Sequence, residues 1–253
     1  MLKKYKDVLS VLAYKEWIVK YKGTYLGYLW SLAHPLMLTL VFYLGFKIVM
    51  KVKIENYVLF LIVALFPWQW FVNSVSSGTW SFVANATLLK KMVFPKFLLP
   101  LSNIVVDGLH FLISIPIIVG ALYFYDKKIF YFSWIYLIPL LLFLQTAIAF
   151  AFALIFGTLQ MFYRDIDRFV SLLLTLLMYI SPIFYAMYLV PKDLRAYFYL
   201  NPLVPLINMW RDAFMQGKIS LDDLGIFLLH LVVWLSLAVW VYKHYEPYFS
   251  ERA

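Results

Sequence analysis

Cysteine is missing from this chain of 253 residues, and charged residues make up only 14% of it. The missing cysteine excludes disulfides, thiolate metal sites and a cysteine nucleophile. The shortage of charge excludes a soluble globular domain, because such domains use about 25% charged residues to cover a water-facing surface. Hydrophobic residues reach 64% and aromatic residues 21% instead. A lipid bilayer is therefore expected to be the solvent for most of the chain.

Basic residues outnumber acidic ones and give a formal net charge of +9. A nucleic-acid-binding domain would gather such charge into a patch on a soluble face. In this sequence the lysines and arginines flank the apolar runs. We therefore expect membrane lipids or an acidic protein as their partners, and no nucleic acid.

Six apolar runs, each about long enough to cross a bilayer as a helix, divide the chain. They cover residues 29–50, 57–77, 97–125, 132–162, 168–190 and 224–243. The predicted fold is an all-α integral membrane protein with six transmembrane helices in a single domain, residues 1–253. An N-terminal interfacial helix (1–27) precedes spans one to five (28–190), and span six with a cytoplasmic tail (224–253) follows later.

The segment between the last two spans, residues 191–223, is apolar in part, but Pro202 and Pro205 interrupt it. The piece after Pro205 is too short to cross about 30 Å as a helix. Short external helices that re-enter the membrane are predicted here, with helices resting on the membrane surface as the alternative.

Lysine and arginine are more frequent in the segments that share a side with the N-terminus. Short loops rich in these residues stay in the cytoplasm. A multi-pass protein of the cytoplasmic membrane with both termini inside is predicted.

Polar and aromatic side chains recur at helical spacing on one face of the first, third, fourth and fifth predicted spans. Aromatic rings stack on the apolar face of a sugar, and hydroxyl and amide groups bind its hydroxyls. This chemistry favours a hydroxyl-rich passenger over an ion, although small and polar residues also pack helices together. The candidate channel residues are Tyr28, Phe42, Tyr43, Trp68, Trp70, Gln145, Phe152, Phe156, Tyr179 and Tyr185.

Asp107 is the one acidic residue inside a predicted span, and it shares a face with Asn103 and His110. A buried carboxylate has to be paired or neutral. One interpretation is a proton relay, which would make the protein a proton-coupled secondary transporter. The other, favoured because no charged partner occurs in another predicted span, is a hydrogen-bonded packing pair of Asp107 and His110.

Enzymatic chemistry has no visible site in the sequence. An H-E-x-x-H metal motif is missing, and the D-x-D at Asp165 and Asp167 lies in a tight turn between two arginines. The Gly217-Lys218 pair is followed by isoleucine, so the chain has no P-loop for ATP. We expect no catalytic residue, no metal site and no cofactor bound by this chain, and an energy source outside it.

Several short motifs occur in a specific order and spacing, although each is weak alone. They are Lys20-Tyr-Lys-Gly-Thr-Tyr-Leu-Gly-Tyr-Leu-Trp30 with Pro35, Leu88-Leu-Lys-Lys-Met-Val-Phe-Pro95, Tyr163-Arg-Asp-Ile-Asp167, Ser181-Pro-Ile-Phe-Tyr185 and Asn201-Pro-Leu203. Over nearly its whole length the chain resembles the membrane subunit of ABC-2 type polysaccharide exporters, above all the O-antigen permeases of the Wzm type.

The resemblance implies a half-transporter. Two copies of the chain would form a homodimeric pore, and two copies of a separate ABC ATPase subunit would bind ATP and Mg. The implied passenger is a lipid-linked, O-antigen-like polysaccharide; teichoic acid, capsule, a lipid or a drug is the alternative in the same family. Segment 191–223 would then form external gate helices.

The resemblance also implies that a cytoplasmic loop docks into the ATPase. Its candidate contacts are Leu88, Leu89, Lys90, Lys91, Phe94 and Pro95. Pro95 and Pro100 would stiffen this loop, which helps it to transmit motion. The alternative for Lys90 and Lys91 is ordinary positive charge beside a span.

Overall fold

Helices joined by short connections make up the chain in a computed structural model that describes residues 2–25, 27, 29–92, 94–126 and 130–252. In chain order they are α1 (Leu2–Tyr21), α2 (Leu29–Phe42), α3 (Tyr57–Ala84), α4 (Ala86–Lys91), α5 (Leu98–Asp126), α6 (Trp134–Gln160), α7 (Ile166–Ile180), α8 (Lys192–Phe198), α9 (Leu203–Gln216), α10 (Leu221–Tyr245) and α11 (Phe249–Arg252). A π-helical stretch, Tyr43–Val49, continues α2.

Five of the described helices are long and apolar enough to cross a membrane. They are α2 with its π-helical continuation, α3, α5, α6 and α10. These helices coincide with the predicted spans one to four and six, and α3 runs past its predicted end at residue 77 to Ala84. The all-helical membrane fold is thus confirmed, while the count of six spans stays a prediction.

The predicted fifth span breaks early. α7 has 15 residues, which is about 22 Å of helix and less than the roughly 30 Å of a hydrocarbon core. It ends because Pro182 disfavours helical geometry in the residue before it, and Ser181 is extended at φ −80° and ψ 147°. The expectation of one helix over 168–190 is therefore wrong in its C-terminal part.

The segment predicted as short helices before the last span contains α8 and α9. α8 lies on the outside, whereas α9 is buried against α3, α6 and α10. Arg211 of α9 stacks over the ring of Phe60, 3.7 Å from its centroid, and donates from Nη2 to the Pro182 carbonyl oxygen at 2.7 Å. The guanidinium group of Arg211 is thus held in the interior by a ring face and a carbonyl oxygen.

The core is built around α3, which contacts α2, α5, α6, α7 and α9. α3 and α6 approach closely at two glycines, Gly78 and Gly157. A Cβ on Gly157 would lie 2.7 Å from the carbonyl oxygen of Gly78, and a Cβ on Gly78 would overlap that of Ala153. Ala153 and Gly157 form a small-xxx-small pair, which permits close helix packing in membranes.

The N-terminal helix α1 packs along α5. Leu12 is buried in this contact, and Lys15 donates to the side-chain oxygen of Asn85 at 2.6 Å. Val11 and Val19, which the sequence places with Leu12 on one apolar face, are exposed. α1 is therefore held against the bundle by one edge and leaves an apolar edge open.

Candidate passenger and docking sites

Half of the predicted channel residues lie in the interior of the single chain. Trp68, Trp70, Gln145, Phe152 and Phe156 are all buried. The rings of Trp68 and Phe152 both pack on the ring of Phe71, at centroid distances of 6.1 Å and 5.5 Å. The polar and aromatic face of the predicted fourth span thus packs against other parts of the protein. Helix packing was the alternative to a channel lining for such a face.

A second group of predicted channel residues meets near the break after α7. Phe42 and Tyr179 both contact the ring of Phe184, at centroid distances of 4.1 Å and 5.9 Å. Tyr179 is exposed, and Tyr185 is half-buried with its hydroxyl donating to the Ile180 carbonyl oxygen. Tyr43 is half-buried at the start of the π-helical stretch. Tyr28 lies outside the described residues.

Gln145 joins three helices. Its Nε2 donates to the Pro67 carbonyl oxygen at 2.7 Å, and its Oε1 accepts from Trp210 Nε1 at 2.5 Å. All three residues are buried. Gln145 therefore ties α6 to α3 and α9.

Gln145→Leu is expected to lower the stability of the protein by about 1–3 kcal/mol, because it leaves the buried indole N–H of Trp210 without an acceptor. Thr146→Val on the next residue, which lines an apolar groove, is the matched control and should change little. Thermal unfolding in detergent measures the stability of both variants. Equal unfolding midpoints would contradict a stabilising role for the hydrogen bonds of Gln145.

Asp107 has a charged partner that sequence analysis missed. Its carboxylate forms an ion pair with Lys20 of α1 and accepts from the Ser77 hydroxyl at 3.2 Å. His110 stacks on Trp17 of α1, with ring centroids 4.7 Å apart. The favoured Asp107–His110 pair is thus replaced by two contacts that fasten α1 to α5. Asn103 is buried on the same helix and donates weakly to the Leu99 carbonyl oxygen.

The missed partner lies in the N-terminal segment and not in a predicted span. Asp107 is 2% exposed, while the Lys20 side chain is 32% exposed. Lys20 thus supplies a counter-charge for this carboxylate. The geometry favours a positioning role over a relay.

Lys20→Met is expected to destabilise the protein by about 3 kcal/mol, since it leaves a buried carboxylate without its counter-charge. Asp107→Asn should cost less, because an amide still accepts from Lys20 and Ser77 and the lysine reaches solvent. The double variant Lys20→Met/Asp107→Leu should recover most of the loss, and Asp107→Leu alone completes the cycle. A double-mutant cycle on thermal unfolding checks the prediction, and additive losses would contradict a coupled pair.

The predicted docking residues lie beside an apolar groove between α1 and the α4 loop. Leu89 is buried, Leu88, Phe94 and Pro95 are half-buried, and Lys90 and Lys91 are exposed. The groove measures about 890 Å³. We call it the α1–α4 groove; its apolar lining is Tyr5, Val8, Val11, Leu88, Met92 and Phe94.

Sequence analysis also missed a polar face on α3. Gln69, Asn73, Ser76 and Ser77 follow the spacing i, i+4, i+7 and i+8, which is the signal that could have revealed it. They open into a cavity of about 510 Å³. We call it the α3 chamber; it is lined by Trp30, Ser31, His34, Gln69, Asn73 and Ser77.

Among the described residues, no group of three potential metal ligands comes together.

Comparison with known proteins gives consistent matches along the chain. The model of the ABC-2 type transporter family matches residues 7–215. A Klebsiella pneumoniae protein named O-antigen export system permease protein RfbA is 41% identical over 97% of this chain and 94% of its own length. A second Klebsiella pneumoniae protein of that name is 40% identical over the same shares. A Myxococcus xanthus protein of that name is 29% identical over 86% of this chain and 84% of its own.

Proposed function

Because this chain belongs to the ABC-2 type transporter family, we propose that it is the membrane subunit of an ATP-driven exporter that moves a lipid-linked, O-antigen-like polysaccharide across the cytoplasmic membrane. The observation that carries this proposal is the 41% identity, over 97% of the chain, to a protein named as an O-antigen export permease. The chain supplies the passage, and ATP and Mg bind to a separate ATPase subunit.

The passage lies between two copies of the chain in this proposal. α7 exposes a face that carries Ser171, Thr175 and Tyr179. Hydroxyl groups turned toward lipid would lose their hydrogen bonds to water. An aqueous passage in a homodimer gives this face a polar surrounding, with Tyr179 and Phe42 available for sugar rings.

The α1–α4 groove receives the ATPase subunit in this proposal. Its apolar lining would be costly to leave in the cytoplasm, and Lys90 and Lys91 beside it attract an acidic partner surface. Lys15 also lines this groove, where it pairs with Glu16 and bonds to Asn85. Motion of a docked subunit would therefore reach both α1 and α3.

The orientation follows from this placement. Both termini and the α4 loop are cytoplasmic, and α8 and α9 lie toward the external mouth as gate helices. α7 and the residues up to 190 would complete a sixth crossing as a broken span. Broken helices are tolerated in membranes where protein or water surrounds them.

Surface polysaccharide in a strain that lacks the permease tests the proposal. Complementation with this chain should restore surface polysaccharide only when the ATPase subunit has an intact P-loop lysine. Export should survive Asp107→Asn, and it should survive collapse of the proton gradient when ATP is maintained. Export that needs the proton gradient but no ATPase would overturn the proposal.

A further inference from the structure

We propose that the α3 chamber is a binding site for a neutral, hydroxyl-rich sugar unit of the passenger, an assignment that rests on the proposed export function. The chamber lies between α2 and α3, next to the end of α1, and among the residues that the structure describes none of its lining belongs to the channel set predicted from the sequence. Its volume of about 510 Å³ falls within the range of small-ligand pockets, about 300–1,000 Å³.

The chamber lining matches the two kinds of surface on a sugar ring. The amides of Gln69 and Asn73 each carry donors and an acceptor, and they are joined by a 2.8 Å hydrogen bond that orients both. Such amides bind neighbouring hydroxyl groups of a sugar. Trp30, 55% exposed at the start of α2, offers an aromatic face to the C–H side of the ring.

The charge of the chamber favours a neutral ligand over an anion. Lys20 lines the chamber, but its ammonium group is paired with Asp107. Binding of an anion would require this ion pair to open and leave a buried carboxylate without its partner, which is costly. A neutral sugar leaves the pair intact.

A smaller void continues the chamber inward and holds a donor in need of a partner. It measures about 20 Å³ and shares Ser31, Gln69 and Asn73 with the chamber. Trp70 lines it, is 4% exposed, and has no hydrogen-bond acceptor for Nε1 among the described residues. The void can hold one water-sized group. A sugar hydroxyl, or a water that bridges to it, would satisfy this indole N–H.

Lipid is a poor occupant of this space. Gln69 and Asn73 are half-buried within a membrane-spanning helix, and Ser76 is exposed there. Amide and hydroxyl groups that face hydrocarbon lose their hydrogen bonds to water, which is unfavourable. A polar ligand or water removes this cost.

The absence of native cysteine makes single-cysteine labelling a direct test. Ser76→Cys, which places a thiol at an exposed position of the chamber lining and keeps both amides, is purified with the ATPase subunit in lipid nanodiscs and treated with a charged methanethiosulfonate reagent. The thiol should react, and polysaccharide of the producing strain, released from its lipid, should slow the reaction about tenfold at ten times its dissociation constant, because few sites then stay free.

Two control positions calibrate the rate of thiol modification. Tyr197→Cys on the exposed α8 should react at the same rate with and without polysaccharide. Leu229→Cys, on an exposed apolar position of α10, should not react because it faces lipid. An unreactive Ser76→Cys, or one that reacts without protection, overturns the assignment. Oxidative cross-linking of two Ser76→Cys chains also overturns it and assigns the chamber to the interface between copies.

Export in cells separates this inference from the proposed function. Trp30→Leu should reduce surface polysaccharide severalfold, while Trp30→Phe, which keeps an aromatic face, should restore it. If the wild-type chain exports polysaccharide and both Trp30 variants match it, the chamber assignment fails and the export function stands. If the wild-type chain exports nothing, the proposed function fails.

Discussion

Phe94→Asp is expected to abolish export while the permease stays folded. Phe94 lines the α1–α4 groove and is half-buried there, outside the central contacts of α3. A carboxylate in this apolar groove would have to be desolvated when the ATPase binds. Loss of a central apolar anchor costs about 2 kcal/mol or more of binding free energy, so the affinity for the ATPase should fall about 30-fold or more.

Co-purification of the tagged ATPase subunit measures this effect, with surface polysaccharide as the second readout. Phe132→Asp is the matched control, because Phe132 is an exposed phenylalanine in the connection before α6 and away from the groove. It should leave the complex intact. If the Phe94→Asp variant co-purifies with the ATPase at the wild-type level, the groove is not the docking site.

Gly157→Ala is expected to destabilise the membrane domain by about 1–3 kcal/mol although it adds a single methyl group. The added Cβ would lie 2.7 Å from the carbonyl oxygen of Gly78. A backbone atom cannot turn aside as a flexible side chain can, so α3 and α6 would have to separate. Larger residues at this position should prevent folding.

Gly120→Ala is the control, since Gly120 also lies in a membrane-spanning helix but a Cβ there meets no atom within 4 Å. It should be neutral or slightly stabilising, because alanine favours helix over glycine by about 1 kcal/mol. Detergent-solubilised thermal unfolding compares the two substitutions. Equal midpoints would show that the close approach of α3 and α6 is not needed for stability.

Sequence alone predicted the parts of the fold that depend on composition and length. Five predicted spans coincide with membrane-length helices because uninterrupted apolar runs have one stable form in lipid. The end of α7 was predictable in principle, since Pro182 restricts Ser181, but the apolar residues that follow concealed the break. Short helices before the last span were predicted from prolines, whereas the burial of α9 depends on tertiary contacts.

The candidate sites were predicted less well. Aromatic residues make up 21% of the chain, so their presence on a helix face does not distinguish a binding site from ordinary packing. The spacing of Phe152 fits a channel-lining face and a packed face equally well. Its burial depends on tertiary contacts that the local sequence does not show. Lys20 is 87 positions from Asp107, so no local pattern connects them. The polar face of α3 could have been found from Gln69 and Asn73 by their i, i+4 spacing.

ATP-driven transport by the purified complex tests the central claim most directly. The permease and its ATPase are reconstituted into lipid vesicles, with lipid-linked polysaccharide supplied on the ATPase side, and polysaccharide protected inside the vesicles is measured. We predict that it accumulates with ATP and Mg, and not when the P-loop lysine of the ATPase is replaced. Accumulation that follows an imposed proton gradient and ignores ATP would contradict the account.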